Sequence, residues 1–113
     1  MNRLIEFRGL HCGRWIYGSL ITYTPEYHAI MFFDDKNIER TFVVKSETVG
    51  QFIGLTDKNG VKIFEGDNVK CDSYTGIVNY QNSGWYIGNI TINFFRKEFE
   101  IIGNIHQNKD LIR

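Results

Sequence analysis

Cysteine, histidine and carboxylate side chains are the first residues to test for chemistry in this sequence. Cys12, Cys71, His11, His28 and His106 could build a zinc site or a thiol–imidazole pair. Structural zinc sites draw their ligands in pairs at short spacing, and these residues are scattered. His11 and Cys12 are adjacent, so an extended backbone points them to opposite sides. A Cys71–His106 dyad depends wholly on the fold, because a thiolate and its base meet in space and not in sequence. The paired acids are Glu65 with Asp67, and Asp34 with Asp35. Glu65 and Asp67 have the spacing that puts two carboxylates on one strand face. Gly66 between them marks a turn, however, where such acids bond nearby backbone amides. Neither pair is accompanied by a histidine or a ligand cluster, so the sequence predicts no catalytic residue, no cofactor and no metal site.

Two loop motifs come close to known ligand sites and fail on spacing. Gly54 and Gly60 frame Leu55-Thr56-Asp57-Lys58-Asn59, in the manner of a phosphate-binding loop. Such a loop needs Lys-Ser or Lys-Thr after its second glycine, and Gly60 is followed by Val61-Lys62-Ile63. Asp57 would also repel phosphate. The same acid opens Asp57-x-Asn59, the start of a calcium-binding loop, but its fifth position is Val61 and its glycine falls too early.

Nucleic-acid binding is the remaining chemical reading. Trp85, Tyr86, Phe94 and Phe95 could stack bases beside the basic pair Arg96-Lys97, as small barrels do with single strands. Trp85, Arg96 and Lys97 are the contacts this would use. Charge weighs against it, because 13 basic and 13 acidic residues leave no excess to neutralise phosphates. The competing reading puts Phe94 or Phe95 in the core and Arg96-Lys97 in a turn.

The elements that would position these residues are strands. A hydrophobic content of 42% with 15% aromatics is enough for a core without a disulfide or metal staple. Cys12 and Cys71 are expected as free thiols in a reducing compartment. No apolar run approaches the roughly 20 residues of a spanning helix, and the N-terminus lacks a signal-peptide core. Both point to the cytoplasm and away from membranes.

Trp15 to Tyr23 places Trp15, Tyr17, Ile21 and Tyr23 on one face at period two, and Thr24-Pro25-Glu26 then turns the chain. His28–Phe33 and Glu39–Val44, joined through Asp34-Asp35-Lys36-Asn37, complete a meander. Asp57-Lys58-Asn59-Gly60 has type I hairpin chemistry, and Phe52, Leu55, Ile63 and Phe64 are expected in the core. Glu65-Gly66-Asp67-Asn68 turns into a strand from Val69. Further strands are expected at Thr75–Tyr80, Gly84–Ile87, Ile90–Phe94 and Glu98–Ile105, the last with Phe99, Ile101 and Ile105 inward. Helical turns are expected at most at Ser46-Glu47-Thr48 or Lys109-Asp110-Leu111. The predicted fold is mainly β and antiparallel: an N-terminal β-meander packed on a small Src-homology-3-like barrel. It forms one domain over 1–113, with lobes at 1–47 and 48–113.

The run Glu47-Thr48-Val49-Gly50-Gln51-Phe52-Ile53-Gly54-Leu55-Thr56-Asp57-Lys58-Asn59-Gly60, followed by Ile63-Phe64-Glu65-Gly66-Asp67-Asn68-Val69, resembles the central signature of the YopX-like proteins of phages and prophages. Phe7-Arg8 with Trp15-Ile16-Tyr17-Gly18 is similar to the opening of that family, and Glu100-Ile101-Ile102-Gly103-Asn104-Ile105-His106 to its ending. Ser46, Ile53 and Lys109 depart from the family pattern. The resemblance implies a phage or prophage origin and a β-rich fold, and no activity. Thr48, Val49, Gly50, Gln51, Gly54, Leu55, Asp57, Asn59, Gly60, Glu65, Gly66 and Asp67 are accordingly expected as structural signature residues. The functional expectation is a non-enzymatic accessory protein that contacts a host or phage protein, or a second copy of itself.

Overall fold

The computed structural model describes residues 4–107. The chain divides into two units, Met1–Phe52 and Ile53–Arg113. It passes from one to the other inside a strand, β5 (Gly50–Thr56).

The first unit is a meander of β1 (Phe7–His11), β2 (Arg14–Thr24), β3 (Tyr27–Phe33) and β4 (Glu39–Val44), with the start of β5 beside β1. Strand order is β4-β3-β2-β1-β5, every pair antiparallel. Strands β2 to β4 form where strands were expected, but burial does not alternate as expected. Tyr17 and Tyr23 are exposed, β3 buries the neighbours Ala29 and Ile30 together, and a register shift between Thr22 and Thr24 interrupts β2. Strand β1 was not expected, and a tight turn explains it. Cys12 and Gly13 both have positive φ (51° and 80°), the geometry that lets two residues reverse a hairpin. The meander curls until the end of β4 meets β1, where Lys45 N–H donates to Leu10 O at 2.9 Å. Thr48 Oγ1 accepts from Leu10 N–H at 2.9 Å and donates to Lys45 O at 2.6 Å. His11 Nδ1 lies 2.7 Å from Val43 O, so the imidazole donates there. Gly9 permits this approach, since a Cβ on it would stand 2.8 Å from Val44 Cβ.

In the second unit β5 continues beside β6 (Lys62–Phe64), and a five-stranded antiparallel sheet follows. It contains β7 (Asp67–Cys71), β8 (Tyr74–Gln81), β9 (Gly84–Ile87), β10 (Ile90–Thr91) and β11 (Glu100–Asn104), in the order β10-β9-β8-β7-β11. The mainly β, antiparallel class is as expected. The barrel is not: the sheet has two ends and does not close. Its core is Ile53, Ile63, Val69, Cys71, Val78, Ile87 and Phe99, with Trp85, Ile92, Phe95 and Ile101 packed against it. Each fully buried aliphatic or aromatic side chain contributes about 1.5–3 kcal/mol.

Three local expectations need correction. Leu55 is 44% exposed and outside the core. Gly54 takes φ +92° within β5, which breaks the alternation that would have carried Leu55 inward behind Ile53. Ile90–Phe94 is a strand only as far as Thr91; Ile92–Phe94 winds into a 3₁₀ turn closed by Phe95 N–H to Ile92 O. That winding seats Ile92 and Phe95 on the core and leaves Phe94 outside. In β11 a bulge between Ile101 and Gly103 passes the buried position to Asn104 and exposes Ile102. The expected helical turn at Ser46–Thr48 forms as a 3₁₀ turn, while Lys109-Asp110-Leu111 lies outside the described residues.

Candidate functional site

Asp57 accepts backbone hydrogen bonds from two segments of the second unit. It opens the β5–β6 turn, where Gly60 N–H donates to Asp57 O at 3.0 Å and Gly60 takes φ +81°. Asp57 Oδ1 accepts from the N–H groups of Asn59 and Val61, each at 2.9 Å, and Oδ2 from that of Ile101 at 3.2 Å. Burial pushes this carboxyl up. The three backbone donors and Lys58 outweigh it and hold the group below the usual carboxylate range. Lys58 adds N–H to Phe99 O at 2.8 Å and an exposed ion pair, Nζ to Glu100 Oε1 at 3.4 Å. The turn therefore lies along the outer edge of β11, at one end of the five-stranded sheet.

The second signature turn repeats this logic. Asp67 is 2% exposed, and its Oδ2 accepts from Phe64 N–H at 2.8 Å across Glu65-Gly66. Gly66, at φ +95°, donates to Val78 O and accepts from Ile105 N–H at 3.0 Å. Thr48 ties the preceding 3₁₀ turn to β1, and Gly50 and Gln51 pair with Arg8 and Phe7. Val49 is half-buried between them. Asp57 and Asp67 thus both accept from backbone amides.

The scattered nucleophiles and bases stay scattered. Cys71 ends β7, with its thiol 3.5 Å from Lys97 O. His106 lies against Gly66, at the other end of that strand. Five strand residues separate these ends by roughly 16 Å, so no Cys71–His106 dyad forms. Cys12 and Cys71 are free thiols. Among the described residues, no group of three or more His, Cys, Asp or Glu side chains could hold a metal ion. His28 Nδ1 sits 2.6 Å from Ser46 Oγ, a contact the sequence did not signal. Arg8, only 5% exposed, places its guanidinium 4.0 Å over the Trp15 ring.

Two concavities lie among the described residues. In the first unit, Leu4, Ile5, Tyr17, Met31, Phe32 and Phe33 line an open groove of about 260 Å³ floored by Gly18. A Cβ at Gly18 would collide with the Met31 carbonyl, so only glycine fits this floor. In the second unit, the turn Cys71–Tyr74 faces the loop Phe94–Lys97 across a pocket of about 350 Å³. Of the proposed nucleic-acid contacts, Arg96 and Lys97 line this pocket. Trp85 does not; it packs on the core and meets Tyr80 edge-on at 5.0 Å.

The family model described as YopX protein matches residues 6–113. The crystal structure of protein EF1440 from Enterococcus faecalis is similar in fold, with a TM-score of 0.65 and 18% identity, covering 99% of this chain and 100% of that one. No curated protein matches this sequence.

Proposed function

The chain belongs to the YopX protein family, and from that premise we propose that it is a phage- or prophage-encoded accessory protein that works in the host cytoplasm by binding another protein, without catalysis. The observation that carries this reading is the groove of the first unit. Ile5 is 64% exposed, Phe33 58%, Leu4 55% and Tyr17 41%, and they gather around one concavity. Clustered apolar side chains of this kind mark interaction surfaces far more than isolated ones do. An extended apolar segment of a partner would bury them. The separation of Cys71 from His106 supports the non-enzymatic half of the reading. A second copy of the chain is the other occupant the surface could take.

Affinity capture from a bacterial lysate, run in parallel on the native protein and on Phe33→Lys, tests this reading. The expected result is a specific protein retained by the native chain and lost with Phe33→Lys at unchanged circular dichroism. Self-association would appear as a concentration-dependent sedimentation coefficient that Phe33→Lys abolishes. Identical recovery with both proteins, or a monomer that captures nothing, would overturn it.

A further inference from the structure

The pocket of the second unit has a composition unlike that of the groove. Its floor is aromatic: Tyr74 and Phe95 lie 5.6 Å apart, and Phe95 stands edge-on to Phe99 at 5.4 Å. Phe94 rises at the rim, edge-on to Phe95 at 5.7 Å and 65% exposed. Two cations, Arg96 and Lys97, follow Phe95 in sequence. Arg96 Nη1 donates to Asn93 O at 3.2 Å, which holds the guanidinium along the loop. Lys97 Nζ lies 3.3 Å from Asp72 Oδ1, with both side chains largely exposed.

An exposed ring beside two cations fits a flat apolar group that carries an anion. We propose that this pocket binds single-stranded nucleic acid, one nucleotide at a time, with a base stacked on Phe94 and the adjoining phosphate held by Arg96 and Lys97. This goes beyond the protein-binding reading and uses a different unit of the chain. Three features of the pocket support it. Stacking on an aromatic ring is tolerant of sequence, and the 3₁₀ turn Ile92–Phe94 is what leaves that ring outside the core. The volume of about 350 Å³ sits near the low end of small-ligand pockets, roughly 300–1,000 Å³, which suits a nucleotide. The Asp72–Lys97 pair is solvent-exposed and so holds Lys97 weakly, leaving the ammonium able to turn to a phosphate. Asp72 lowers the local charge without cancelling it, since Arg96 and Lys97 oppose one acid among the lining residues.

Fluorescence anisotropy with labelled oligo(dT) and oligo(U), at rising salt, tests the proposal on the full chain. Either strand chemistry satisfies it. One neutralised phosphate predicts a log–log salt slope of about −0.7. Phe94→Ala removes an exposed ring, so the fold stays intact by circular dichroism while affinity falls about tenfold. Arg96→Glu with Lys97→Glu flattens the salt slope towards zero. No binding at low salt would overturn the proposal, as would affinity that survives Phe94→Ala with an unaltered slope. Equal affinity for duplex would do the same.

Discussion

Asp57 Oδ2 accepts the backbone N–H of Ile101 at 3.2 Å, joining residues 44 positions apart. Strand β11 ends the five-stranded sheet, so its outward N–H and C=O groups are the kind a free edge offers to other chains. The Asp57–Gly60 turn covers part of that edge, with Lys58 N–H on Phe99 O beside it. The central and closing segments of the family pattern thus meet through hydrogen bonds, here and again at Gly66 and Ile105.

Removing the carboxylate leaves three backbone donors without their acceptor. Asp57→Ala is expected to cost about 2–4 kcal/mol, read from the urea-denaturation midpoint at neutral pH. Asp57→Asn keeps one carbonyl acceptor and is expected to cost less.

The same carboxylate sets a pH dependence. Its folded pKa lies below the unfolded value of about 3.9. Its contribution is therefore fully present above about pH 4 and is lost as pH falls through the folded pKa. Denaturation series between neutral and strongly acidic pH should show a steeper acid loss in the native protein than in Asp57→Asn. Parallel curves would contradict this.

Gly9 and Val44 form a matched pair in the first unit. A methyl at Gly9 meets Val44 Cγ2 at 2.7 Å, so Gly9→Ala is expected to cost about 1–3 kcal/mol through overpacking. Val44→Ala opens space at that point, and the double variant should be less destabilised than the sum of the singles. Additive costs would remove the contact as the cause.

Ser46 and His28 offer the sharpest test of the non-enzymatic reading, because a hydroxyl 2.6 Å from an imidazole is the geometry of an activated serine. A structural bond predicts that Ser46→Ala costs about 1 kcal/mol and that a fluorophosphonate leaves Ser46 unlabelled. Covalent labelling of Ser46 would mark it as a nucleophile.

Much of this fold is legible in the sequence because its turns carry their own chemistry. Pro25, Asp57 with Gly60, and Gly66 with Asp67 fix reversals locally, and the period-two runs between them leave little freedom. What escaped depends on partners distant in sequence. Strand β1 contains Gly9 and Arg8, poor signals for a buried strand, and both are explained only by Val44 and Trp15. Phe94 continues an alternating pattern, yet the packing of Ile92 and Phe95 overrides it. Leu55 follows the inward parity of Ile53 until the positive φ of Gly54 resets it. For the candidate sites, Arg96-Lys97 beside aromatics was visible as a pattern. The groove was not, since Leu4, Tyr17 and Phe33 come from separate segments.

Asp57 closes part of the edge of β11, and hydrogen exchange at the Ile101 amide tests that claim most directly. The account predicts that this amide is protected in the native protein. In Asp57→Ala its exchange should accelerate by at least about tenfold more than that of Val69 or Val78 in the sheet interior. Exchange at Ile101 that is already fast in the native protein, or that tracks the interior amides in the variant, would contradict it.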